Sequence, residues 1–151
     1  MKTLTKRAIT VIVVLVVATG VAFAHSGASG IVKERMESMK SISAAMKTAG
    51  NMIRGRPEFD PEKAQGAVIE IEQHAAEIPK LFPEGSVHEP SEALTVIWDD
   101  WEQFMAIATE LRETAAALSQ EATSASQPSE IASRFAAVAQ TCTDCHEQFR
   151  Q

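Results

Sequence analysis

The sequence predicts an all-α protein, an antiparallel four-helix bundle. Three observations lead there. Alanine, glutamate, methionine and leucine are frequent, tyrosine is absent, and no β-branched run alternates with polar residues. Apolar residues recur at alternating spacings of three and four, the seam of helices packed about 20° apart. Clusters of proline and glycine divide the chain into four such stretches.

Ahead of the helices lies MKTLTKRAITVIVVLVVATGVAFAHS. Lys2, Lys6 and Arg7 precede an apolar run from Ala8 to Ala18, and Ala22-Phe23-Ala24 is a small-x-small cleavage site. This is the layout of a secretory signal peptide, residues 1–24, leaving one domain over 25–151. A retained membrane anchor is the competing reading, but the run is short for a span of about 20 residues. The mature chain then carries 11 basic against 20 acidic residues, a formal charge of −9. That argues against nucleic-acid binding, which needs a basic face. It fits an exported protein that meets a basic partner.

The first helix is expected from about Ser29 to Arg54. Val32, Met36, Met39, Met46 and Ile53 form its inward stripe, with Ser43 and Gly50 as small members. Gly55, Arg56 and Pro57 end it. The second opens at Asp60, an N-cap, with Pro61 at the first helical position. Its face is Ala64, Val68, Ile71, Ala75 and Ile78, and Pro79 stops it. PKLFPEGSVHEP, residues 79–90, is an irregular crossing loop. The third helix is expected from Ser91 to Ala122 on Leu94, Ile97, Trp101, Phe104, Ala108, Leu111, Ala115 and Leu118. The fourth is capped by Ser126 or Gln127, begins at Pro128, and faces inward with Ile131, Phe135, Val138, Cys142, Cys145 and Phe149. Four helices with one long connection describe a bundle with a crossover. A three-helix core with the second helix loosely attached is the structural competitor.

Both cysteines of the chain fall in TCTDCHEQFR, three apart, with His146 directly after Cys145. Two thiols one helical turn apart can each add to one vinyl group of a porphyrin. An imidazole directly after the second can then reach the central iron. This is the mechanical content of CxxCH as a haem c attachment signal. Zinc needs about four ligands, and only three converge here. A thioredoxin-like pair sits at a helix start after a strand, whereas this pair closes a helix. A disulfide within one turn is strained and leaves His146 unexplained.

With CxxCH near the end of a four-helix chain, the sequence resembles the class II c-type cytochromes, the cytochrome c′ family. IVKERMESMK, LFPEGS, IWDDWEQF and CTDCHEQFR carry the resemblance, in order along the mature chain. It implies one covalent haem c per chain, held by Cys142 and Cys145, with iron on His146. Arg35 and Met39 match the family's arginine and the distal residue four positions later. In the low-spin subgroup a methionine there is the sixth iron ligand, and MKSISAAMKTAGNMIRG resembles that subgroup. In high-spin members the distal residue packs over iron without bonding it, and Arg35 resembles those members. Met36 is the fallback ligand.

The expectation is therefore a periplasmic haem protein for one-electron transfer, not an enzyme, with His146 and Met39 on the metal and Arg35 paired to a haem propionate. Its partners are redox proteins. The alternative is a five-coordinate binder of nitric oxide or carbon monoxide. A haem-free helical interaction module is a third reading. Relatives often dimerise through the first two helices, and a homodimer is left open. Of the other residues, Trp101 is expected in the core and Trp98 beside the haem or packed. Phe135 and Phe149 are expected near the macrocycle, Arg150 on the proximal side, and His74 hydrogen-bonded or at the surface.

Overall fold

The computed structural model describes residues 27–151. The leader expected at 1–24 lies outside them. Helix α1 spans Gly30–Ile53 and α2 spans Pro61–Glu77, continuing as a 3-10 turn over Ile78–Leu81. A single turn, α3, covers Val96–Asp99, followed by α4 at Trp101–Ala122 and α5 at Ser129–Phe149. The four long helices form the bundle, with tight packing between α1 and α2, α2 and α4, and α4 and α5. Helices α1 and α5 touch much more sparsely. No described helix is long and apolar enough to cross a membrane.

The start of α2 is as the sequence dictates. Asp60 accepts the Lys63 amide at 3.1 Å, satisfying one free N–H of the first turn, and Pro61 follows. Helix α5 starts one residue later than expected. Its cap runs backwards: the Glu130 carboxylate accepts the amides of Ser126 at 2.7 Å and Gln127 at 3.3 Å.

The expected third helix is two pieces. Residues 91–95 are not helical, and Asp100 breaks the path between α3 and α4 with φ −124° and ψ 45°. The cause of the unwound 91–95 stretch lies at the far end of the chain. Leu94 N–H donates to Phe149 O and Gln151 N–H to Glu92 O, each at 2.9 Å, so this segment pairs with the C-terminal residues as an antiparallel bridge. The three-four pattern runs across the break but is not obeyed at Trp101, which is 38% exposed. Trp101 stacks on Phe104 instead of entering the core. Phe104 is the buried member, in contact with Phe82 at 4.9 Å and edge-on to Phe149 at 5.4 Å.

Helix α1 has two inner faces where one was expected. The fully buried stripe is Val32, Arg35, Ser38, Ile42, Ala45, Ala49 and Met52. Its small alanines allow the close approach of α2. Met36, Met39, Met46 and Ile53 are half-buried, and Ser43 is exposed. On α5, Thr141 is buried and returns its hydroxyl to Ala137 O at 3.1 Å, while Cys142, Cys145 and Phe135 are half-buried against the core.

Candidate haem site

Cys142, Cys145 and His146 occupy the last two turns of α5, which ends at Phe149. The cysteines are free thiols. Burial raises both, Cys145 to about 11, with the Cys142 charge as a second cause. They stay protonated at neutral pH. His146 is exposed. Partial loss of solvent around its ring, then the Arg150 charge, lower its proton affinity, and Glu92 opposes them. The balance favours the neutral imidazole, the form that can bind a metal. Arg150 is held by the Glu92 carboxylate, to which its Nε donates at 2.8 Å and its Nη2 also donates.

Across from this turn stands α1. The two helices come close at Gly50, where a Cβ would lie 3.1 Å from Cζ of Phe135. Met39 is eleven residues before Gly50, and His146 is eleven residues after Phe135. Eleven residues advance a helix about 16.5 Å and fall within about 20° of three full turns. Because α1 and α5 run antiparallel, this count sets Met39 and His146 at about the same level along the bundle. Each is on the helix face that makes the Gly50–Phe135 contact. Met46, one turn from Gly50, shares that α1 face.

These residues fit a c-type haem. Two unpaired thiols and an imidazole on α5, and a thioether on α1, belong to two helices that touch only sparsely. The thioether and both thiols, with Met46 and Phe135, pack on the core while staying partly exposed. Among the described residues no cluster of three or more His, Cys, Asp or Glu is arranged to hold a metal ion.

Comparison with known proteins agrees. The family model described as Cytochrome C′ matches residues 30–150. The chain belongs to the cytochrome c′ family. It is 31% identical over 121 residues to cytochrome c′ of Pararhodospirillum photometricum, covering 80% of this chain and 95% of that one. It is 29% identical over 106 residues to cytochrome c-554 of Cereibacter sphaeroides, covering 68% and 78%. The solved cytochrome c prime of Shewanella frigidimarina superposes with a TM-score of 0.75 at 25% identity, over 80% of this chain and 94% of that one. The chain is thus a helical-bundle haem protein whose family carries covalent haem c.

Arg35 is 4% exposed. Its Nε donates to Leu81 O at 3.0 Å. Its Nη2 donates to the same oxygen at 2.7 Å and to Ser86 Oγ at 2.6 Å. Its Nη1 donates to Ser91 Oγ at 3.1 Å and Ser86 O at 3.4 Å, and the guanidinium lies over the Phe82 ring, 4.1 Å from its centroid. All these partners are in or beside the crossing loop, and Glu34 is not among them. The loop turns at Gly85, whose φ of +76° a residue with a Cβ rarely adopts.

Trp98, not Trp101, is the more enclosed tryptophan, its Nε1 donating to Phe82 O at 3.2 Å. His74 is half-buried and shares a hydrogen bond with Ser38 Oγ at 3.1 Å, so it links α2 to α1. Sequence reasoning missed Phe82, Ser86, Ser91 and Glu92 as partners of the two arginines. LFPEGS marked the right loop, but nothing in it names the cation it receives.

Proposed function

We propose that this chain is an exported one-electron carrier in which Cys142 and Cys145 hold the haem through thioether bonds, His146 takes the proximal iron position and Met39 the distal one. The shared level and facing that helix geometry gives Met39 and His146, counted eleven residues along each helix from the Gly50–Phe135 contact, supports this reading. Bound haem supplies iron that changes between ferric and ferrous states. The protein's part is to fix the two axial side chains, exclude water with its apolar surround, and thereby tune potential and access. A thioether favours the ferrous state relative to harder ligands. No substrate is turned over. In this reading residues 1–24 direct export, the mature chain 25–151 works in the periplasm, and its acidic balance suits a basic redox partner.

A second reading is favoured by the family itself. Its solved relatives include a nitric oxide complex of a cytochrome c prime variant from Alcaligenes xylosoxidans. If Met39 packs over the iron without bonding it, the distal position takes a diatomic gas. Another relative, 18% identical, is described as showing ligand-controlled dimer dissociation.

One experiment separates the readings. Absorption spectra of the exported holoprotein are recorded oxidised and reduced, before and after carbon monoxide. Sharp, split reduced bands unmoved by carbon monoxide are expected, and Met39→Ala should make them broad and responsive. A wild-type spectrum that is broad and shifts with carbon monoxide gives the distal site to gas binding. Sedimentation of the same samples tests the dimer. Absence of covalent haem revives the interaction-module reading.

A further inference from the structure

We propose that Arg35 is a positioning residue: its guanidinium ties the crossing loop to α1 one turn before Met39, and this tie sets how readily the distal side opposite His146 admits a ligand. The argument starts from donor capacity. A guanidinium has five N–H groups, and the five hydrogen bonds of Arg35 all go to Leu81, Ser86 and Ser91. A carboxylate could reach it only by displacing one of these oxygens. Every acceptor is neutral, so the buried charge is held by the shape of the loop and not by a counter-ion.

The tie reaches further than the loop. Phe82, under the guanidinium, packs on Phe104 of α4, and its carbonyl oxygen accepts the Trp98 indole. One side chain of α1 thereby gathers the loop, α3 and α4. Arg35 and Met39 are four residues apart, adjacent on the helix surface. Any slackening at Arg35 therefore falls on the turn that carries Met39. Lysine cannot replace the fork: it is a point charge with three donors and no flat face to stack on Phe82.

The test uses the haem-loaded protein with two variants, Arg35→Lys and the double variant Ser86→Ala/Ser91→Ala. The double variant leaves the cation in place and removes only loop acceptors. Amide hydrogen exchange is measured over residues 81–91, and carbon monoxide association by rapid mixing. Both variants are expected to lose protection in the loop and to bind carbon monoxide faster, Arg35→Lys by about tenfold or more and the double variant in the same direction by less. If the double variant keeps wild-type exchange and wild-type association, the tie does not govern the distal side and the inference is overturned, whatever Arg35→Lys does. Should Arg35→Lys fail to fold, the double variant decides alone. The inference rests on the Met39 reading only for which group carbon monoxide displaces. A wild-type protein already open to carbon monoxide defeats that reading, while the comparison of exchange and rates still judges Arg35.

Discussion

The two sides of the proposed iron site are built in different ways. The proximal side is one stretch of one helix: Cys142, Cys145 and His146 come within five residues, and the helical turn alone brings them together. The distal side is assembled. Met39 is brought level with His146 by a contact eleven residues away in both helices, and Arg35 beside it is fixed by oxygens 46 to 56 residues along the chain. In the proposed site, attachment therefore needs only local geometry, whereas ligation opposite needs the whole bundle to keep its register. Damage to the first should abolish the haem, and damage to the second should leave haem bound but change what it binds.

The largest effect is expected at the proximal turn. Cys142→Ser with Cys145→Ser should remove covalently bound haem altogether, read as the loss of the haem mass from the denatured chain. His146→Ala should leave the thiols able to react but give a protein without the proximal ligand, with altered spectra in both oxidation states. Retention of wild-type spectra in His146→Ala would remove His146 from the iron. By contrast, Met39→Ala should keep full haem content, and that difference in outcome is the comparison in its sharpest form.

Attachment itself should be visible as a change in pH behaviour. Before haem is added, burial holds the Cys145 thiol up to about 11. Its folded-state affinity for the proton exceeds that of the unfolded chain, whose thiols titrate near 8.5. The contribution is intact below the ordinary thiol range and is lost as pH rises from there toward about 11. The haem-free chain should therefore lose stability across that alkaline window, and alkylation of its thiols should lag behind that of the denatured chain. In the haem-loaded protein both sulfurs are thioethers, which do not titrate, so this part of the alkaline loss should vanish. Parallel alkaline melting of the two forms checks it.

This contrast also explains what could be read from sequence. The haem signal and the Asp60–Pro61 start of α2 act within one turn, so their residues are their own signature. The same holds for the stripe of α2, while on α5 the expected Ile131, Val138 and Phe149 are buried, Phe135, Cys142 and Cys145 only half so, and Thr141 is buried beside them. Helix α1 misled because two faces are turned inward: the methionine stripe is real, but Arg35, Ser38 and Ala45 lie deeper than it does. The break at Asp100 was hidden because Leu94, Ile97, Trp101 and Phe104 keep helical spacing across it, and the unwound residues 91–95 follow from a backbone pairing with residues 149–151. Main-chain acceptors such as Leu81 O carry no side-chain identity at all. Nothing short of the folded topology could name them as the partners of Arg35.

The register that brings Met39 level with His146 can be strained directly. A larger residue at Gly50 must push against Phe135, because even a Cβ there lies 3.1 Å from its Cζ and 3.3 Å from its Cε1. Gly50→Val is expected to destabilise the protein by about 1–3 kcal/mol through overpacking, measured by denaturant unfolding. Phe135→Ala in the same chain should recover part of that loss, since it removes the clashing ring, and a double-mutant cycle reads the coupling. If Gly50→Val also loosens Met39, carbon monoxide should bind it faster than wild type.

The smallest effect is expected at the exposed pair behind the proximal histidine. Glu92 and Arg150 are both largely in solvent, where such a pair contributes about 0–1 kcal/mol. Glu92→Gln should therefore barely move the unfolding midpoint. Its electrostatic consequence is more specific. In the haem-free chain Glu92 raises the proton affinity of His146 and Arg150 lowers it, so removing the carboxylate leaves only the lowering influences. Neutral imidazole should then persist to lower pH in Glu92→Gln than in wild type, a shift readable by proton NMR titration of the ring. In the haem-loaded variant the same change should leave the iron more weakly supplied with negative potential and raise its midpoint slightly. A large stability loss in Glu92→Gln would mean that the bridge between residues 92–94 and the chain end depends on this pair. The backbone bonds at 2.9 Å from Leu94 and Gln151 argue instead that the bridge holds itself, and that Arg150 is a charge placed near the site more than a strut.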